Sequence, residues 1–442
     1  MNSLERAITP GHLLRFTLPT VVMLIFNSFY TMVDGAFVSN FVGTGALSAV
    51  NIVYPALNLV FAVGIMLATG GSAIVGRQLG EGRHREAREN FSLVVAAGTV
   101  LGVLIAVGGV IFASPLVRML GASDAIYADC YDYLIYMSVF APFAVLQMLF
   151  QYLFVTAGKP QLGLVSTVAG GVANIVLDYV FIVPMHMGIR GAAVATGIGF
   201  TIPALTGLVY FSVCRSGNLY FTRPVWRGPI LLESCTNGSS EMVTNLSIAV
   251  TTFLFNVEMM RWLGEDGVAA ITIVFYADFL FVAVFLGYTS GAAPLFSYSY
   301  GAEDHDRLRK LFRLSMLFIG VGSAAALIAS LACSGPVVGF FARKGTEVYD
   351  IALHGMRLYA ISFLLKGVNI FASGLFTAFS NGKVSAFLSF LRTFGFLVLC
   401  IFALPKIWGV DGIWLAIPVA ELLSLAVSGW CLVRFRHVYH YV

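Results

Sequence analysis

Asp34 stands in the run 13–40, LLRFTLPTVVMLIFNSFYTMVDGAFVSN, which is apolar for long enough to cross a bilayer. A crossing takes roughly 20 apolar residues, and a charge placed mid-span costs about 2.5–3.5 kcal/mol on insertion scales. A carboxylate survives there only with a partner or against a cavity. A second carboxylate, Asp178, follows Asn174 by four residues in another apolar run, so the two share one helix face. Ala192 and Thr196 repeat that spacing in the next run. Two carboxylates, an amide oxygen and a hydroxyl form an oxygen-rich set suited to a proton or a hard monovalent cation such as Na⁺. The same groups could equally tie helices together as a hydrogen-bonded knot, and spacing alone leaves both readings open.

The elements that must position these groups are membrane spans. Of 442 residues, 59% are hydrophobic and 11% charged, and the mean hydropathy is +0.88. Soluble multidomain readings are excluded, and the long unbroken apolar runs speak for helices rather than an outer-membrane barrel. Twelve spans are expected, at about 13–40, 47–75, 91–113, 131–156, 162–184, 191–213, 240–263, 267–296, 312–333, 355–379, 384–405 and 410–433. Most Lys and Arg fall in the termini and even-numbered loops, with only Arg118, Arg190, Arg261, Arg343, Lys344 and Lys406 in the odd ones. The positive-inside rule then makes both termini cytoplasmic. On that topology Asp34, Asp178 and Thr196 each lie about six residues, or about 9 Å, below the outer surface.

The longest polar linker, 214–239, divides the spans six and six, giving lobes at 1–213 and 240–442. The halves are related by sequence. At an offset of 221 residues, Gly70 lies over Gly291, Gly80 over Gly301, Thr156-Ala157 over Thr377-Ala378, and Pro184, Gly188 and Gly191 over Pro405, Gly409 and Gly412. An even number of spans per repeat makes the lobes like-oriented about an axis along the membrane normal. The expected fold is an all-α integral membrane protein of two six-helix bundles able to rock against each other.

Several classes drop out. No nucleotide-binding, zinc-protease, nucleophile-elbow or dinucleotide motif is present, so neither an ATP-driven pump nor an enzyme is expected. The small net charge of +4 is spread along the chain, and no nucleic-acid partner is expected. The six cysteines are scattered without a C-x-x-C pair. Met1–His12 does not read as a signal peptide, so the first span is expected to remain in the protein. In the second half Glu258, Asp278, Lys366, Arg392 and Glu421 carry both signs, and mutual pairing is the simpler reading. The sharper one gives Asp278 or Glu421 a cationic substrate. Asn237 begins a glycosylation sequon, but on the cytoplasmic side.

A family resemblance rests on LP at 18–19, YTMVDGAFV at 30–38, Pro55, GRQLGEG at 76–82, TAGKP at 156–160, NIVLDYVFI at 174–182 and GIRGAAVAT at 188–196, answered by GVDGIWLA at 409–416 and PVAELL at 418–423. In this order the sequence resembles the multidrug and toxic-compound extrusion (MATE) transporters over essentially its whole length. The resemblance implies a cation-coupled antiporter, driven by H⁺ or Na⁺ and without a resident cofactor, that exports amphipathic, often cationic organic compounds by alternating access. It assigns the coupling site to Asp34, Asn174, Asp178 and Thr196 and a helix-bending role to Pro19. Tyr30, Asn27, Asp278 and Glu421 are the candidates for a substrate cavity. A second-lobe coupling pair found in some members is not expected, because Ala249 stands at the Glu position and 355–379 has no Asp. The expected setting is the cytoplasmic membrane, as a monomer. The alternative is a lipid-linked precursor flippase of a related two-lobe fold, which would need a cationic central cavity.

Overall fold

The computed structural model describes residues 4–442, the side chains of Ala36, Ser39 and Thr44 excepted, and among these residues the secondary structure is helical. Ten helices are long and apolar enough to cross a membrane, or eleven when the bent pair Tyr127–Val139 and Ala141–Thr156 is one span. The twelfth comes from Gly228–Gly301, a helical run of 74 residues broken at Gly264 (φ 66°, ψ −151°). Straight, such a run would be about 110 Å long. Yet Gly238 and Gly301 both lie against the same stretch of Gly45–Gly80, at Met66 and Arg77, so the run doubles back at Gly264. Only glycine adopts such a backbone at no steric cost.

The spans, numbered in chain order, are Pro10–Val42, Gly45–Gly80, His84–Ile111, the bent pair, Pro160–Ile182, Gly188–Val213, the two limbs of Gly228–Gly301, His305–Phe341, Glu347–Tyr359 with Ile361–Ala378, Gly382–Trp408 and Val410–Tyr439. The repeat is visible in their irregularities. Span 4 bends by 53° between Val139 and Ala141, and span 10 breaks at Ala360, one residue from the equivalent place.

The packing divides the molecule in depth. One core is built within the first lobe around Val53, Tyr133 and Ile189, and another within the second around Phe255, Tyr359 and Trp414. The third draws on both lobes and joins Leu4, Leu79, Phe91, Phe379 and Tyr441. The lobes therefore share a core at the end bearing both termini. Glycine permits this closeness. A Cβ on Gly80 would strike the Tyr298 carbonyl and one on Gly301 the Arg77 carbonyl, a reciprocal pair at the 221-residue offset. Higher up, span 2 meets span 7 at Gly70 and Gly238, and span 8 meets span 1 where a Cβ on Gly291 would lie 3.1 Å from Thr17 Cα. Such close backbone approaches are how small residues pack membrane helices without a hydrophobic driving force.

The segment expected as linker is shorter. Helix begins at Gly228, with Pro229 in its first turn where the missing N–H costs nothing, so only 214–227 is irregular. That stretch is docked on span 3, through Arg88 to Tyr220 Oη (2.8 Å) and Arg227 to Glu89 (2.7 Å). Asn237, the sequon residue, is buried and donates to the Thr377 carbonyl at 2.9 Å. The first α-helix runs uninterrupted through Pro19, and its irregularity is a π-turn at Val38–Val42, beginning four residues after Asp34.

Candidate functional site

Spans 5 and 6 can touch because their facing positions are glycine. A Cβ on Gly170 would strike the Gly199 carbonyl, and one on Gly199 would lie 3.0 Å from Asn174 Cβ. One helical turn further, Asn174 Nδ2 reaches Thr196 Oγ1 at 3.4 Å, and Thr196 donates to the Ala192 carbonyl at 2.9 Å. Span 1 lies on the same face, with the ring of Phe26 2.5 Å from where a Gly171 Cβ would be and Tyr30 beside it. That packing carries Asp34 to Asp178.

The four residues gathered by helical spacing and depth are thus brought together. Asp178 and Asn174 are fully buried and Thr196 nearly so, while Asp34 is partly shielded. Oδ1 of Asp34 and both Oδ atoms of Asp178 are buried without a donor, as is Asn174 Oδ1. The two carboxyls lie within hydrogen-bonding reach of each other, a contact that becomes a hydrogen bond only when one of them holds a proton. Among the described residues no cation faces either one. Two adjacent carboxylates cannot both be ionised cheaply away from water, so the arrangement is chemically suited to a shared proton or a monovalent cation. The orphaned oxygens of Asn174 and Asp178 fit such an ion.

Below the carboxyls lies a cavity with room for little more than a water, lined by Tyr30, Gln147, Thr167, Asn174, Thr196 and Phe200. Above them, Arg190 pairs with Asp132 at 2.7 Å across the ends of spans 6 and 4. Sequence reading missed Gln147, whose Oε1 is buried without a partner, and Tyr133, which is buried within electrostatic reach of both carboxyls. A tyrosine near a span end reads equally well as an interfacial anchor, so spacing carried no signal for it.

The remaining candidates separate. Tyr30 lines the cavity and Asn27 has a buried, unpartnered Oδ1. In the second lobe, Asp278 is ion-paired with Lys366, which also donates to Tyr359 Oη at 2.9 Å. Glu421 accepts from Asn369 Nδ2 at 2.7 Å. The mutual pairing expected of the second-lobe charges is therefore seen for Asp278 with Lys366, while Arg392 Nη1 is buried without a partner.

Two like-oriented six-helix lobes, joined at one end and carrying an uncompensated carboxyl pair in one of them, define a twelve-span membrane transporter. The chain belongs to the MatE family: the family model matches residues 19–180 and 241–402, one stretch in each lobe. It is similar to the multidrug export protein MepA of Staphylococcus aureus strain MSSA476, 22% identical over 93% of this chain and 90% of that protein. The Staphylococcus saprophyticus protein of the same name is 21% identical over the same shares. A crystal structure of MATE in the straight conformation superposes with a TM-score of 0.92 over 98% of both chains at 20% identity.

Proposed function

We propose that this chain is a cation-coupled antiporter that exports amphipathic, often cationic organic compounds across the cytoplasmic membrane by alternating access, with both termini cytoplasmic. The observation that carries the reading is the shielded Asp34 and Asp178 pair, which has no counter-cation among the described residues and lies beside the oxygens of Asn174 and Thr196. H⁺ or Na⁺ entering from outside loads this site. Loading favours a rearrangement of span 1 at Pro19, where the absent i→i−4 hydrogen bond lowers the cost of bending. Substrate and cation then compete for lobe arrangements, as exchange requires. With both termini inside, the shared core closes the cytoplasmic end, so the arrangement described is outward-facing. One monovalent cation entering down about 100 mV supplies about 2.3 kcal/mol, and one pH unit adds about 1.4 kcal/mol.

The flippase alternative gains no support: of the two mid-span cations of the second lobe, Lys366 is paired with Asp278, and Arg392 alone is not the cluster of cations that a pyrophosphate needs. The export of drugs named for the staphylococcal relatives supports the substrate class. The test is efflux of a fluorescent cationic dye from sealed vesicles under separately imposed H⁺ and Na⁺ gradients. Efflux should follow at least one gradient. Efflux driven by ATP with both gradients collapsed would contradict the reading.

A further inference from the structure

Span 7 begins at Gly228, twelve residues before the expected edge at Ser240. Glu241 lies thirteen residues into that helix, about 20 Å along it. It faces a second small cavity, between the lobes, to which Thr69 and Ser72 of span 2 and Tyr152 of span 4 contribute from the first lobe, and Thr289 of span 8 and Thr377 of span 10 from the second. Thr69 is eleven residues above Gly80, so the cavity sits about 16 Å above the crossing of spans 2 and 8.

The chemistry of this lining is specific. The Glu241 carboxylate receives the Ser240 hydroxyl and, at 3.3 Å, that of Thr377. Thr377 is joined to Ser240 at 3.2 Å and to Ser385 at 2.7 Å. Thr289 Oγ1 lines the same space, buried and without a partner. Among the described lining residues the one other titratable group is the Tyr152 phenol, and there is no Lys, Arg or His. One carboxylate and several neutral oxygens thus surround room for a water or a bare ion. Glu241 is half-buried, and a shielded carboxylate with hydroxyl partners alone carries an uncompensated charge.

We propose that Glu241 centres a second small-cation site, for H⁺ or Na⁺, which exists only while the cytoplasmic halves of the lobes are together. Both lobes build it, so parting them dismantles it. A cation bound there stabilises the closed cytoplasmic end, and opening releases that cation toward the cytoplasm. The inference rests on the alternating-access reading but not on the Asp34 site: by the repeat offset Glu241 answers to Thr20, and it lies in the opposite leaflet from Asp34.

The test follows opening through labelling of Ala73→Cys by a membrane-impermeant thiol reagent applied to the cytoplasmic face, in full-length protein with its native cysteines replaced. It is run in an Asp34→Asn, Asp178→Asn background so that the first site cannot respond. Labelling should slow by at least about fivefold on acidification, on adding Na⁺, or both, the two arms naming the ion. Glu241→Gln should abolish the response, and Glu241→Asp should restore it. If Glu241→Gln fails to fold, Thr377→Val carries the test and should weaken the response. A response unchanged in either variant, or none before Glu241 is altered, overturns the proposal. Loss of the Glu241 response beside retained dye efflux by Asp34→Asn would separately condemn the coupling role of the first site.

Discussion

The two lobes are one scaffold used twice, and they differ in how they treat charge. At the repeat offset, Asp34 answers to Phe255 and Thr196 to Ile417, both buried in the apolar core of the second lobe. Conversely, Asp278, Lys366 and Glu421 answer to Leu57, Val145 and Phe200 in the first. Even the span ends away from the termini keep a polar contact in the same position: Arg190 pairs with Asp132 in the first lobe, and Asp411, its counterpart, meets His354 at 2.7 Å in the second. What repeats is backbone contact, set by glycines. What does not repeat is the carboxyl pair left without a cation. The first lobe keeps an unsettled charge that an ion can settle, whereas in the second Asp278 is neutralised by its own side-chain partner.

This contrast can be broken most forcefully at Lys366. Removing the cation alone, Lys366→Met, leaves Asp278 buried and unpaired, which should destabilise the second lobe by about 3 kcal/mol. Adding Asp278→Leu should recover most of that loss in thermal unfolding of the purified protein and keep gradient-driven dye efflux. A double variant that folds but does not transport would move the chemistry into the second lobe. Next comes the reciprocal glycine crossing. Gly80→Leu and Gly301→Leu should each lower stability by about 1–3 kcal/mol and by similar amounts, since each side chain would enter the other helix's backbone. A large effect at one and none at the other would contradict the two-fold arrangement of spans 2 and 8. The smallest change is Thr196→Val, which keeps volume and removes the hydroxyl that Asn174 meets. It should raise the coupling-ion concentration needed for half-maximal efflux by up to about tenfold, equivalent to about 1.4 kcal/mol, while the structurally equivalent Ile417→Val should leave it unchanged.

Most of this architecture was legible because membrane helices obey few rules. Length and apolarity mark the spans, and glycines at a constant offset mark the repeat. The first-lobe site was legible because buried carboxylates are costly enough to stand out, and because four-residue spacing with equal depth puts Asn174, Asp178 and Thr196 on facing surfaces. Glu241 was not, because the polar sequon at Asn237 and Ser240 after it disguise a helix that starts at Gly228. Tyr133 and Gln147 were not, because their roles come from tertiary placement rather than from any local pattern. The pairing of Asp278 with Lys366 joins spans 8 and 10, and no spacing rule reaches across 88 residues.

The central claim is that Asp34 and Asp178 act as one cation-holding unit. It is tested most directly by dye efflux from vesicles under imposed H⁺ and Na⁺ gradients for Asp34→Asn, Asp178→Asn and the double variant, each at wild-type expression. Either single change should lower gradient-driven efflux by at least about tenfold, or about 1.4 kcal/mol, and the double should be no worse than either single, as expected of groups that work as a pair. Wild-type efflux by Asp34→Asn at both mildly acid and mildly alkaline pH, with and without Na⁺, would contradict the account and make the carboxyl pair a structural joint.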